Sequence, residues 1–465
     1  MGKNNNEKID QNANDEGLCG EKKRVGFMTL GCKVNQYETE AMAEAFEDAG
    51  YKQVGFDETA DVYIINTCTV TGLSSRKSRQ AIRRARQMNS EAIIAAVGCY
   101  PQTAREEVEG LPEVDIVAGT ADRLKIHEYV EAFREGKLQR GKEKISAVEN
   151  IMKKHTFEDL KIDRYTDRTR AFLKVQEGCS QFCSYCIIPY ARGPIRSRPS
   201  EEVLREVGKL VEAGFKEVVL TGIHIASYGK DLGNIRLMEL LRMIHDVEGV
   251  ERIRIGSIEP TLVTEEFAAE AARMEKLCPH YHISLQSGCD ETLARMNRRY
   301  TTQQYKTAVD LLRERIPDVA VTTDVMVGFP GETDEEFDKT VRFLEDIRFA
   351  KMHVFKFSSR KGTPAAGFQG QVASKVKEAR SMKVIELSNR CAHDFHSRFI
   401  GREMPVLYEQ EVKGKKGMYE GLTPNYIRVL SVGDNSLVGN IAATRLIKVE
   451  NDYILGDCIK FPLVL

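Results

Sequence analysis

The stretch Glu177-Gly178-Cys179-Ser180-Gln181-Phe182-Cys183-Ser184-Tyr185-Cys186 sets the reading of the whole chain. Three cysteines stand at a C-x3-C-x2-C spacing, with an aromatic residue just before the third. Thiolates this close in one loop can converge on a single metal site. A 4Fe–4S cube takes four cysteine thiolates, one per iron. This run offers three, which leaves one iron open to a small chelating ligand with an amine and a carboxylate. Zinc is the competing reading, but it takes four N or S ligands, commonly in two spaced pairs. The sequence has no second C-x2-C or nearby His pair to complete one.

The pattern around this loop indicates an α/β architecture. Apolar strand-like runs recur at 171–176, 217–222, 252–256, 280–285, 319–327 and 351–357, with helical stretches such as 200–213 and 333–346 between them. Six strands with helical crossovers predict an open, partial (β/α)6 barrel over residues 169–398. Functional groups in such barrels come from the C-terminal strand ends. Polar residues gather there: Thr221, Gly222 and His224, then Ser257 and Glu259, then Ser284, Gln286 and Ser287, and lastly Asp324. Glu332 opens a helix start rich in caps and acids, which favours a structural role.

Upstream, residues 23–135 read as a parallel sheet covered on both faces, because continuous apolar runs alternate with helices. Strands at 24–30, 60–67 and 92–98 end at Cys32, Cys68 and Cys99, and a fourth at 114–118 ends without a cysteine. Ligands collect at the carboxyl ends of such strands. One cysteine there reads as a buried core thiol; three in phase read as a second Fe–S ligand set, again one short of four. After Cys68, residues 74–86 carry six positive side chains and no acid. Arg76, Arg79, Arg83 and Arg86 share one helical face, which suits phosphate binding as well as plain solvation.

The remaining segments carry less chemistry. Residues 136–168 are polar and mixed in charge, and are expected to link the two domains. Short β-rich runs alternating with Gly turns over 399–465 predict a small antiparallel barrel. RNA contact there rests on Lys415 and Arg428, with Lys413, Lys416 and Tyr426; a structural cap accounts for the segment equally well. Residues 1–22 read as a disordered tail rich in Asn, Asp, Glu and Lys, without the apolar core of a signal peptide. Gly2 is followed by Asn at position 6, which fails the myristoylation pattern.

The chain has 465 residues, is 42% hydrophobic and 29% charged, and carries a formal net charge of -1. That charge excludes a globally basic nucleic-acid protein and confines RNA binding to local patches. Eleven cysteines, odd in number and not spaced as a secreted scaffold, fit ligands and core thiols in a reducing compartment. With no run of ~18 apolar residues, a cytoplasmic protein without membrane or DNA partners is expected.

Cys179, Cys183, Tyr185 and Cys186 match the C-x3-C-x-aromatic-C signature of the radical S-adenosylmethionine (SAM) superfamily position by position. The two three-cysteine sets in this order resemble the methylthiotransferase family over residues 22–465. That resemblance implies an N-terminal cluster domain, a radical-SAM domain and a C-terminal TRAM domain. Leu30–Glu38, Tyr185–Gly193 and Gly222–Gly229 look like the branch acting on N6-threonylcarbamoyladenosine next to the tRNA anticodon. Sister branches act on isopentenyladenosine or on a ribosomal-protein aspartate. Gly256 departs slightly from the pattern, standing before Ser257 where Ser or another small residue is expected.

The resemblance implies two 4Fe–4S clusters, held by Cys32, Cys68 and Cys99 and by Cys179, Cys183 and Cys186. Two SAM molecules are implied, one methylating a sulfur at the first cluster and one cleaved to a radical at the second. Tyr185 is then expected near the adenine of SAM, Thr221 and Gly222 near its amino group, and Ser257, Ser284 and Asp324 along the SAM or substrate pocket. The implied partners are a tRNA anticodon stem-loop and an external electron donor. The rivals are a radical-SAM methyltransferase and a non-catalytic Fe–S RNA-binding protein; the latter makes no 5′-deoxyadenosine.

Overall fold

Val62–Thr67 and Ile93–Gly98 are buried at every position, as continuous apolar runs are when helices cover both faces of a parallel sheet. The computed structural model describes residues 22–137, 144–160, 162 and 169–460. The tail expected over 1–22 lies, apart from Lys22, outside them. The first sheet comprises β1 (Arg24–Thr29), β2 (Lys52–Val54), β3 (Val62–Thr67), β4 (Ile93–Gly98), β5 (Ile116–Ala118) and β6 (Ile145–Ala147). Its order is β2-β1-β3-β4-β5-β6, parallel throughout. Helix α1 (Lys33–Asp48) covers one face with Met42 and Phe46, and α2 (Gly72–Met88) the other with Ala81, Ile82 and Ala85. Burying each large apolar side chain contributes about 1.5–3 kcal/mol. Strand β6 falls within the expected linker 136–168; its run Ile-Ser-Ala is too short and polar to stand out by composition.

The second sheet system begins with β7 (Arg170–Glu177) and the two-residue β8 (Arg196–Ser197), paired antiparallel. Then follow β9 (Glu217–Gly222), β10 (Arg252–Ile255), β11 (His280–His282), β12 (Ala320–Val327) and β13 (Lys351–Lys356). Strands β7-β9-β10 and β11-β12-β13 are each parallel, and the bridges Ile253–Leu277 and Ile258–Ile283 join the two groups. Six parallel strands in sequence order thus form an open barrel. Helix α1 of the first sheet packs beside β7 and β9, with Lys33 Nζ 5.6 Å from the Phe172 ring centroid.

A long helix, Ser374–Ser397, runs against β13 and leads into β14 (Glu403–Glu411), β15 (Met418–Leu422), β16 (Arg428–Val432), β17 (Ile441–Val449) and β18 (Ile454–Lys460). They close a barrel in the order β14-β15-β16-β18-β17, antiparallel except for β16 with β18. Val406, Tyr408, Val429, Leu446 and Ile454 fill it. This barrel plugs the N-terminal end of the large one. Arg252 donates to the Leu422 and Pro405 carbonyls at 3.0 and 2.9 Å, and Arg254 to Pro424 at 2.9 Å. Glu217, fully buried, holds Arg254 at 2.7 Å. Tyr426, at the left-handed φ of 69°, stacks on His280 with centroids 4.4 Å apart.

Candidate active site: two cysteine sets joined by a buried ion network

Cys32, Cys68 and Cys99 lie at the ends of β1, β3 and β4, three neighbouring strands, so parallel register brings them to one edge of the sheet. Cys32 is the N-cap residue of α1, and Cys99 begins the short helix Cys99–Thr103. Gly31 sits at φ 117°, and a Cβ there would meet the Cys68 Cβ at 3.1 Å and Sγ at 3.3 Å. Only glycine gives Cys68 that approach without strain. Burial pushes all three thiols up, and each feels another of the set. Cys68 and Cys99 are buried, whereas Cys32 is exposed and lines the barrel cavity.

The second set occupies the loop after β7. Gly178, at φ 74°, makes the turn; a Cβ would fall 1.7 Å from the Pro194 carbonyl. Cys179 N–H donates to Gly193 O at 3.0 Å and Cys186 N–H to Cys183 O at 2.9 Å. Burial raises Cys179 to about 11 and Cys186 to about 12. Arg298 donates to Cys183 Sγ at 3.3 Å and pairs with Glu259 at 3.2 Å, and Glu259 also accepts from Gln181 at 3.1 Å. Tyr185 packs against the cluster of Met296, Phe329, Phe357 and Ala365.

Between the sets lies an ion network that sequence reading missed. Arg192, fully buried, donates Nε to Cys99 Sγ at 3.2 Å and a terminal nitrogen to Asn35 at 2.6 Å. It also pairs with Glu38 and, at 2.8 Å, with Glu177. Lys174 lies 3.0 Å from Glu177 and 3.4 Å from Glu38. Arg123 completes the ring on Glu38 at 2.9 Å and on Glu177 at 3.0 Å, and pairs with Glu158. Despite the cost of burial, these cations hold Glu38 and Glu177 below the usual carboxylate range. A charged pair this dry survives only with such geometry. Glu177 is two residues before Cys179, so one network braces both cysteine sets.

Among the described residues no three His, Cys, Asp or Glu groups converge as ligands of a single ion. A four-iron cube is a larger body than an ion, and its ligand thiols stand correspondingly further apart. Each set offers three thiols, with one guanidinium N–H directed at a sulfur. That donor chemistry fits an anionic thiolate cluster, whose sulfurs take such hydrogen bonds.

A cavity of about 900 Å³ opens inside the barrel, and Cys32, Thr221, Gly222, Ser257, Asp324 and Tyr426 are on its wall. It therefore joins groups from all three sheet systems. Ser284 contributes elsewhere, its carbonyl accepting from Arg298 at 3.3 Å and Tyr300 at 2.6 Å. Glu332 accepts from Gly328 N–H at 3.1 Å and Arg380 at 2.6 Å, holding a turn.

The α2 arginines are divided in use. Arg86 reaches the Ser90, Ala92 and Glu113 carbonyls and Asp115, and Arg79 pairs with Tyr100 at 2.6 Å and Glu107 at 2.8 Å. Both turn back onto their own domain instead of sharing a free face. Arg83 is 3.6 Å from Glu113, while Arg76 and Lys77 are exposed. In the small barrel Arg428 pairs with Glu420 and Asp452, and Lys415 lies over the Tyr453 ring.

Residues 173–344 match the model of the Radical SAM superfamily, and residues 24–119 that of the uncharacterized protein family UPF0004. The threonylcarbamoyladenosine tRNA methylthiotransferase MtaB of Bacillus subtilis is 44% identical over 94% of this chain and 96% of its own. MtaB of Aquifex aeolicus is 38% identical over 88% and 97%. The tRNA-2-methylthio-N(6)-dimethylallyladenosine synthase of Clostridium tetani is 34% identical over 92% and 95%. A solved radical SAM methyltransferase, TsrM from Kitasatospora setae with cobalamin and a [4Fe-4S] cluster, shares the fold. Its TM-score is 0.53, with 18% identity over 74% of this chain and 77% of that one. The extent of these matches, end to end across both cysteine sets, means that the chain belongs to the radical-SAM methylthiotransferase family.

Proposed function

We propose that this protein adds a methylthio group to C2 of N6-threonylcarbamoyladenosine at position 37 of tRNA. The observation that carries the reading is the bracing of two three-thiol sets by one ion network, beside a cavity that both domains line. Cys32, Cys68 and Cys99 would hold one 4Fe–4S cluster, and Cys179, Cys183 and Cys186 the other. With SAM bound, the clusters supply the transferable sulfur and the one-electron chemistry that activates an aromatic C–H bond.

The chain's own part is placement. Tyr185, Thr221, Gly222, Ser257, Ser284 and Asp324 would orient SAM at the strand ends. Arg192 and Arg298 would donate to cluster thiolates and stabilise their charge. The small barrel, seated by Arg252, Arg254 and Tyr426, closes the far end of the large barrel against water. Arg76 and Lys77 lead the tRNA-facing surface near Cys68, and Lys415 that of the small barrel; Arg79 and Arg86 would hold α2 in shape. An external reductant delivers the electrons. The described residues contain no helix long and apolar enough to cross a membrane.

Relatives named for threonylcarbamoyladenosine include those at 44% and 38% identity, against 34% for the dimethylallyl relative above, which supports the substrate choice. Mass spectrometry of tRNA nucleosides from cells with and without the gene tests it. Loss of 2-methylthio-threonylcarbamoyladenosine, restored by the intact gene, is expected. Loss of the dimethylallyl nucleoside instead would keep the chemistry and change the substrate.

A further inference from the structure

Cationic and imidazole side chains outnumber acids on the wall of the barrel cavity. Lys33 lines it and makes no hydrogen bond or ion pair with a described residue; the Phe172 ring and the Tyr426 hydroxyl are its neighbours. Lys33 is also the first residue of α1, whose first turn has no acid and no side-chain cap. The positive end of a sixteen-residue helix is therefore added to the lysine charge. His353 lies on the same wall, its ring 5.7 Å from that of His282. His280 is 7% exposed, bonds Thr322 through Nε2 at 3.2 Å, and leaves Nδ1 without a partner among the described residues. The two acids on the wall are already engaged, Asp324 with His282 at 3.3 Å and Asp452 with Arg428 at 3.0 Å.

We propose that Lys33 and the uncapped first turn of α1, with His280 beside them across the Tyr426 ring, form a carboxylate-binding subsite for the N6-substituent of the adenine. The proposal rests on the function given above. A threonylcarbamoyl group ends in a free carboxylate, whereas a dimethylallyl group is a neutral hydrocarbon, so one cation at this place separates the two substrates. The methionine carboxylate of SAM is the other source of the same chemistry. Lys33 adjoins Cys32 and shares its cavity with the residues expected to hold SAM, so the measurement of SAM affinity separates the two sources.

The test uses full-length enzyme with both clusters rebuilt anaerobically, as wild type, Lys33→Met and Lys33→Arg. Stem-loops carry threonylcarbamoyladenine, its methyl ester or dimethylallyladenine. Lys33→Met is expected to raise KM for the acid about ten- to hundredfold, the worth of one charge-assisted hydrogen bond, and to treat acid and ester alike. Lys33→Arg should restore the preference, with SAM affinity and iron per chain unchanged in both variants. The subsite is overturned if Lys33→Met keeps the wild-type preference for acid over ester. It is equally overturned if the variant's loss lies in SAM affinity or in bound iron. A wild-type enzyme that modifies only the dimethylallyl stem-loop would remove the proposed function itself, and the subsite with it.

Discussion

Arg192 Nε stands 3.2 Å from Cys99 Sγ, so a residue from the segment after one cysteine set touches a thiol of the other. The same guanidinium binds Glu38 of α1 and Glu177 of β7. The two halves of the chain are therefore one electrostatic unit. Removing Arg192 takes one of the buried cations from both carboxylates, although Lys174 and Arg123 stay, and breaking a buried pair costs about 3–5 kcal/mol. Arg192→Ala is expected to lose that much in denaturant unfolding. Arg192→Lys should recover part of it, since an ammonium keeps the charge without the planar fork. In the variant that folds, the cluster at Cys99 should have a lower reduction potential, read by an EPR-monitored redox titration, because a hydrogen bond to its sulfur is gone.

The two sets should separate by mutation. Cys183→Ala is expected to abolish 5′-deoxyadenosine release from SAM, with bound iron falling by one cluster. Cys68→Ala should lose the same iron yet still release 5′-deoxyadenosine, while yielding no methylthio product. Iron assays with product mass spectrometry decide it. Methylthiolated product from Cys68→Ala would falsify the division of labour between the sets.

The strands that end in cysteine were legible because a parallel sheet buried on both faces leaves uninterrupted apolar runs such as Ile93–Gly98. Barrel strands such as β9, buried over Glu217–Thr221, were legible for the same reason, whereas β13 is largely exposed and stood out only by its short run Val354-Phe355. Strand β17 was not, since every second residue faces solvent and Arg445, Lys448 and Thr444 break the run. The ion network was hidden for a different cause. Glu38, Lys174 and Arg192 are ordinary charges in sequence, and only the docking of two domains takes them out of water. Helical spacing put the α2 arginines on one face but could not show that Arg86 would meet Asp115. Arg298 lies in the dibasic Arg298-Arg299, away from any strand end, and carried no signal of its own.

Stability should fall on mild acidification. Burial holds His280 well below the usual 6.5 and His396 at about 4, so both are neutral in the folded chain at pH 6. The unfolded chain binds their protons first, below pH 6.5, and so gains on the folded one as pH drops. The unfolding free energy is expected to decline by about 1.4 kcal/mol per pH unit for each histidine once pH is below 6.5. Denaturant titrations from pH 7 to pH 5 measure it. His396→Gln should flatten the slope by one histidine's share; an unchanged slope would mean that His396 is not held neutral.

Tyr426 is the stopper between the two barrels, and its backbone and its ring pull in different directions. The left-handed φ of 69° disfavours a tyrosine, yet the ring stacks on His280 and lies 4.7 Å below the Arg254 guanidinium. Positive neighbours, Lys33 first among them and then Arg170, keep its hydroxyl below the usual tyrosine range against the effect of burial. Tyr426→Gly relieves the backbone and deletes the ring; Tyr426→Phe keeps the ring and deletes the hydroxyl. If the stack seats the small barrel, the glycine variant loses about 3 kcal/mol or more, as large-to-small core changes do, and the phenylalanine variant loses about 1 kcal/mol. The glycine variant should also unseal the cavity, so that SAM cleavage runs without methylthio transfer. The ratio of 5′-deoxyadenosine to product reports this directly, and a ratio equal to wild type would show that the small barrel seats without its stopper.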